Sequence, residues 1–330
     1  MVGPSWPPLM PGDGGVALGS AGELLSVSST FNYLSQRVPR SLKRNGKVGT
    51  KRSVTGDDSG MFGVEWSTVQ SRVHNARGAG KTLATNGFEL RDFPLREEID
   101  FYNSDDVVAR YYGECEALVQ AATGATHVAA FDHNVRSVAG NSTGRKLGGN
   151  TAAAVQTPLG VVHGDYTITS APERLQQLTL TPRVNDTYAP RTNGQPLLSP
   201  EVMEGMKDFM IVNVWRNIAP EPIQMYPLAM ADASTVAAED LVVFEIHYAD
   251  RIGENFFCAH NEAHRWFYYP RMTRGEAILL KQWDSRGSVS PARDGKDAAF
   301  CLHSACHDPT TTPESPDRES IEVRCIAILG

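Results

Sequence analysis

Cysteine is scarce in this 330-residue chain, and the five present make no C-x-x-C motif. Cys115, Cys258, Cys301, Cys306 and Cys325 are an odd, widely spaced set. A disulfide framework or zinc knuckle is excluded as the organising element, and a reducing cytoplasmic setting fits best. Cys301 and Cys306 read as small core residues or as neighbours of a strand end. Long hydrophobic runs are missing too: nothing approaches 18 uncharged apolar residues, so no membrane-spanning helix is expected. The opening MVGPSWPPLMPGDGGVALGS has no positive leading region and is broken by proline and glycine, so no secretory signal is expected. Positive charge is not in excess either. With 31 Lys and Arg against 38 Asp and Glu, the net charge of −7 argues against a nucleic-acid surface as the main business. No internal repeat is visible.

What is present is an ordinary globular composition, 41% hydrophobic and 21% charged, which excludes a wholly disordered chain. Residues 1–30 are rich in glycine, proline and serine. Residues 37–52 hold seven cations and no acid, which reads as a solvated loop rather than a nucleic-acid arm. The expectation is therefore a poorly ordered segment over 1–60 and a single domain over 61–330.

The first convincing element is a helix over about 105–122. Ser104, Asp105 and Asp106 suit its positive end, and Val108, Tyr111, Cys115, Leu118 and Ala122 recur at helical spacing up to a Gly124 cap. Thr126 to Phe131 then reads as a strand, and Ser199-Pro200-Glu201 opens a short helix over 200–208. Strands are expected at 159–163, 209–215, 241–248, 266–269, 277–283, 299–304 and 320–329, all rich in β-formers and mostly divided by turn residues. With no helical crossovers between them, the fold class is mainly β with flanking helices (α+β), built as a double-stranded β-helix or jelly-roll barrel.

Two glycine-rich segments fail as nucleotide sites. Residues 75–82 (NARGAGKT) imitate a phosphate loop, but Asn75 stands where glycine is required and no apolar strand leads in. Residues 144–149 (GRKLGG) have neither dinucleotide spacing nor a preceding strand, which also disfavours a methyltransferase.

The segment Val161-Val162-His163-Gly164-Asp165 carries more. On a strand, His163 and Asp165 leave the same face, offering an imidazole and a carboxylate side by side. A distant histidine would complete a two-histidine, one-carboxylate set that leaves open positions on ferrous iron. His303, in Ala299 to Ala305, is the favoured third ligand. His264 is a rival for that place, and His260-Asn261-Glu262 is a rival motif. In isolation, a surface histidine and a turn aspartate also explain H-x-D. Further on, residues 318, 320, 322 and 324 alternate against Ile321, Val323 and Cys325. Arg318 and Arg324 therefore share a face, where a guanidinium fork suits a dicarboxylate.

Several blocks resemble the CmcJ/AsaB-like hydroxylase/desaturase family, which includes gibberellin desaturase-like proteins. They are His303 to Pro309, Arg318 to Arg324 (RESIEVR), Asn213 to Arg216, Tyr226 to Ala229, His264 to Pro270, Lys281 to Ser285, Gly124-Ala125 and Phe131 to Arg136. The likeness spans about residues 85–330, and the usual HTAF block reads HSAC here. The resemblance implies an Fe(II)- and 2-oxoglutarate-dependent dioxygenase that uses O2 to hydroxylate, desaturate or oxidatively cyclise a small molecule of secondary metabolism. It implies iron on His163, Asp165 and His303, and 2-oxoglutarate on Arg318 or Arg324. Arg136, Trp215, Arg216, Tyr268 and Tyr269 are candidate substrate contacts, with Arg136 and Arg216 suited to a carboxylate. Core packing explains the aromatics equally well. The competing reading is a non-catalytic, cupin-like accessory subunit working with a partner enzyme.

Overall fold

Fifteen strands are found in the computed structural model, which describes residues 6–52, 60–149, 153–249 and 251–330. In chain order they are β1 (Val16–Leu18), β2 (Leu24–Leu34), β3 (Gly49–Lys51), β4 (Trp66–Asn75) and β5 (Phe88–Asp92). Next come β6 (His127–Arg136), β7 (His163–Gly164), β8 (Asp208–Asn217), β9 (Leu228–Ala231) and β10 (Leu241–His247). The last are β11 (Ile252–Cys258), β12 (Trp266–Tyr268), β13 (Glu276–Asp284), β14 (His303–Ala305) and β15 (Ser320–Leu329). They make a ten-stranded sheet, β1-β2-β4-β12-β9-β14-β7-β11-β10-β3, and a five-stranded sheet, β5-β13-β8-β15-β6. Pairing is antiparallel except for β12 on β4 and β3 on β10.

Strand alternation sorts the smaller sheet's side chains. In β8, Met210, Val212 and Val214 join a core shared with the helix Tyr112–Thr123, while Ile211 joins the core between the sheets. In β15, Ile321, Val323, Cys325, Ala327 and Leu329 face that helix, whereas Ile326 and Ile328 face the large sheet. The large sheet answers with Phe31, Tyr33, Val73 and Phe256, all essentially inaccessible. Each such side chain contributes about 1.5–3 kcal/mol by leaving water.

The expected helix forms with one irregularity. Ser104–Asp106 runs into a wide turn, Val107–Tyr111, before the regular helix ends at Gly124 with φ 67°. The extra residue of a wide turn lets Val107 and Val108, then Tyr111 and Tyr112, all reach the interior. Its N-cap is Asn103, whose side chain accepts from the Asp105 and Asp106 amides. The short helix is Pro200–Glu204, and the helix Ser170–Leu178 was not anticipated.

Within the first 60 residues, the described part includes a long paired strand where a poorly ordered segment is expected. β2 pairs with β4 from Ser26 to Leu34, although its run LLSVSSTFNYL is half polar. Its polar groups are satisfied inside: Asn32 donates to Gly160 O at 2.8 Å and accepts from Thr68 Oγ1 at 2.7 Å. The basic run is tied down by buried acids. Arg44 Nε lies 2.6 Å from Glu254, and Glu245 accepts from the Asn45 amide at 2.9 Å. Residues 53–59 lie outside the described residues. Two expected strands are shorter, since only His163–Gly164 of 159–163 and His303–Ala305 near 299–304 form ladders. The 299–302 backbone bonds instead to Ser288, Lys281 and Ala231.

Candidate metal centre

β7 lies between β11 and β14, and His163 is the direct cross-strand partner of His303. The two imidazoles stand 4.3 Å apart between ring centroids. Asp165, just beyond β7, places Oδ1 3.7 Å from His163 Nε2 and 3.9 Å from His303 Nε2. One donor atom from each residue falls within 4.8 Å of the others, and this is the one such His/Cys/Asp/Glu group among the described residues.

The surroundings fix which atoms face inward. His163 Nδ1 lies 2.8 Å from Val161 O, which can only accept, so Nδ1 carries the proton and Nε2 offers its lone pair. His303 Nδ1 faces Cys301 O at 3.4 Å in the same sense. The outer oxygen of Asp165, Oδ2, accepts from Asn213 Nδ2 at 3.1 Å and from Arg324 Nε and Nη2 at 3.3 Å. Oδ1 is thereby aimed at the imidazoles. Burial, with His303 beside it, pushes the His163 pKa down to about 4, and burial lowers that of His303. Burial alone would raise Asp165, but Arg324 and the two histidines hold it below the ordinary carboxylate range. All three groups are therefore deprotonated at neutral pH, the state a metal requires. Two neutral imidazoles and a carboxylate on one side, with space opposite, fit a divalent transition metal having open positions.

Two cavities meet at this centre. The larger, about 330 Å³, is lined by His163, Asp165, Arg136, Arg174 and Arg324, with Trp6, Phe244 and Phe257 among its apolar walls. The smaller, about 20 Å³, is lined by all three candidate ligands and by Arg136, Trp215, Arg318 and Glu322.

The alternation expected for the C-terminal run is met, since Arg318, Glu322 and Arg324 all line a cavity. Their surroundings differ. Arg324 binds Asp165, Asp132 at 3.1 Å and Glu322 at 2.9 Å. Arg318 is buried over Trp215 at 5.6 Å and donates Nη1 to Tyr226 O at 2.6 Å, while its Nε has no hydrogen-bond partner. Burial, reinforced by Arg136, pushes its pKa down to about 9. No carboxylate oxygen stands at ion-pair distance from it among the described residues.

The other candidates divide. Arg136 lines both cavities and Trp215 the smaller one. Arg216 does not join them: it faces the opposite side of β8, stacked on Phe93 at 4.7 Å and Tyr111 at 5.3 Å. Adjacent strand residues point to opposite faces, so Trp215 and Arg216 cannot both look into one cavity. Tyr268 is buried in the core with its hydroxyl 3.3 Å from Asp308, and Tyr269 packs against Phe88. Neither lines either of these two cavities. Among the rival ligands, His264 is held by Asp240 at 3.2 Å and Tyr33 at 3.4 Å, with His260 packed edge-on to Tyr33. Asn213, which orients Asp165, was missed, although it shares a strand face with Trp215. Arg174 had no signal, because its helix was not foreseen.

The domain description "Oxidoreductase/YMDC permease-like domain" matches residues 32–328. The chain belongs to this family. Family membership begins inside the segment expected to be poorly ordered, in agreement with the pairing of β2. The chain is 38% identical over 199 residues to an uncharacterized protein in the dcmA 3' region of Methylophilus leisingeri, spanning 58% of this chain and 91% of that one. It is 29% identical to the Fe(II)/2-oxoglutarate-dependent dioxygenase nvfI of Aspergillus novofumigatus, over 80% of this chain and 85% of the relative. It is 27% identical to the hydroxylase/desaturase efuI of Hormonema carpetanum, over 91% and 94%. The kinship with hydroxylase/desaturases that the C-terminal blocks implied is thus borne out. In fold the chain is similar to the iron and alpha-ketoglutarate-dependent endoperoxidase NvfI, with a TM-score of 0.67, 21% identity, and 93% and 99% of the two chains covered. The mainly β expectation holds.

Proposed function

We propose that this family member is a non-haem iron oxygenase that couples 2-oxoglutarate decarboxylation to oxidation of a small molecule in secondary metabolism. Iron sits on His163, Asp165 and His303, and the distal carboxylate of 2-oxoglutarate on Arg318. One observation carries the reading: a complete two-histidine, one-carboxylate set opens onto a narrow cavity that also holds a buried arginine without a carboxylate. The relatives named as dioxygenases and hydroxylase/desaturases support it.

Bound iron, 2-oxoglutarate and O2 would supply the oxidising power that breaks an unactivated C–H bond, releasing succinate and carbon dioxide. The chain's own residues do the rest. Arg324 and Asn213 hold Asp165 so that one oxygen faces the metal position. Val161 O and Cys301 O set the histidine tautomers. Trp215 walls the narrow cavity beside Arg318, and Arg136 stands on the wall shared with the larger cavity, where substrate binds. Hydroxylation would replace one substrate hydrogen by oxygen, whereas desaturation or ring closure would remove a second hydrogen, and substrate position would decide between them.

The finer architecture is a double-stranded β-helix in one domain, its sheet extended by β1 to β3. Five buried, unpaired cysteines support a cytoplasmic setting. Among the described residues, no helix is long and apolar enough to cross a membrane. An accessory subunit without turnover would have no need of the complete donor set. The test is anaerobic titration with Fe(II) and 2-oxoglutarate, in which a metal-to-ligand charge-transfer band is expected. His163→Ala should abolish it, and a wild-type protein that shows no band refutes the proposal.

A further inference from the structure

The walls of the larger cavity differ in chemistry. One is aromatic: Trp6 packs 5.8 Å from Phe244 and 5.9 Å from Phe257, and those two rings stack at 4.3 Å. Another is cationic. The helix Ser170–Leu178 buries Ala171 and Leu178 and carries Arg174 to the cavity, its guanidinium 5.5 Å from the Phe131 ring.

Several neighbouring charges are already matched, and Arg136, on the wall shared with the smaller cavity, donates to Thr157 O at 2.7 Å. Arg324 is met by Asp165, Asp132 and Glu322. The wall acids Glu173 and Glu254 are met by Arg44 at 3.4 and 2.6 Å. Arg174 has no carboxylate oxygen at ion-pair distance among the described residues. A partly buried guanidinium facing a cavity is stabilised by an anion that accepts from its planar fork. The volume, about 330 Å³, is that of a small-molecule pocket.

We infer that the substrate is an amphipathic carboxylic acid, its carboxylate on Arg174 and its apolar body against Trp6, Phe244 and Phe257. This rests on the oxygenase reading for what happens to the acid, not for its binding. His163 and Asp165 line the same cavity, so the bound acid lies beside the metal centre. Arg174, in the larger cavity, is distinct from Arg318, which lines the smaller one.

The test is calorimetry under anaerobic conditions on protein loaded with Fe(II) and 2-oxoglutarate, using 4-phenylbutanoate, cinnamate and their primary amides as probes. Each acid should bind wild type at least tenfold more tightly than its amide. Arg174→Gln should erase the preference while leaving the charge-transfer band of the loaded protein unchanged. Arg174→Lys, which keeps a charge but loses the fork, should fall between. Equal binding of acid and amide, no binding of either, or a preference that survives in Arg174→Gln overturns the inference. If wild type shows no band but an Arg174-dependent acid preference persists, the oxygenase reading fails and the anion site stands.

Discussion

Replacing Arg318 by methionine separates a cosubstrate anchor from a structural cation, because the two roles predict opposite effects on stability. The guanidinium is buried, and its pKa falls from the ordinary 12.5 to about 9. At 1.36 kcal/mol per pKa unit, keeping it charged in the empty protein costs about 5 kcal/mol, an order-of-magnitude upper bound. Against this, the variant forfeits the charged hydrogen bond to Tyr226 O, worth about 1.5–3 kcal/mol, while methionine retains packing on Trp215. Denaturant melts of the metal- and cosubstrate-free variant should therefore show stability unchanged or raised by roughly 1–3 kcal/mol. With 2-oxoglutarate the sign reverses. Removing one partner of a buried charge pair costs about 2–5 kcal/mol, so the 2-oxoglutarate Kd should rise roughly thirtyfold to several-thousandfold. Titration of the charge-transfer band measures this directly. A less than threefold loss of affinity, together with a destabilised empty protein, would show that Arg318 is structural and that the cosubstrate anchor lies elsewhere.

Arg324→Gln should act on the other partner: Fe(II) affinity falls about 10–100-fold as Asp165 loses its orienting bonds, with little separate effect on 2-oxoglutarate once iron is saturating. Asn213→Ala should weaken metal binding in the same way and to a smaller degree, which competition with a chromogenic chelator would measure. Metal affinity should be nearly flat between pH 6.5 and 8. The His163 pKa of about 4 and the lowered values of His303 and Asp165 leave less than half a proton to displace there. Affinity should weaken as pH falls below that range, and steeply toward 4, where His163 is protonated. Calorimetry at pH 6.5 in two buffers of different ionisation enthalpy should give one apparent enthalpy, and release of half a proton or more would contradict the burial argument. Phe31→Ala should cost about 3–5 kcal/mol in denaturant melts, since its ring is fully buried and stacks on Trp266 at 4.0 Å. A loss under 1 kcal/mol would return β2 to the periphery.

Period-two alternation makes the centre of this site readable in the sequence. It paired His163 with Asp165 and aligned Arg318, Glu322 and Arg324, and the folded chain keeps both groupings. The same rule, applied to Trp215 and Arg216, would have removed Arg216 from the substrate candidates, and it forbids Tyr268 and Tyr269 a common face. Other features had no local signal. β2 is half polar because its polar groups find partners far along the chain, Asn32 on Gly160 among them. Arg174 matters only because a helix of nine residues lies beside the cavity.

The choice between Arg318 and Arg324 shows where alternation stops being informative. It says that two side chains share a face, but six residues of extended chain separate their origins by about 20 Å. Sharing a face therefore does not mean sharing a ligand. Charge neighbours favour one of the two under the proposed function: Asp165, Asp132 and Glu322 surround Arg324, which holds the carboxylate of Asp165. Arg318, with a carbonyl and an indole for company, is the one of the two that the proposed function leaves for the cosubstrate. One strand and the residues leading into it thus line two cavities, with an arginine on either side of Glu322.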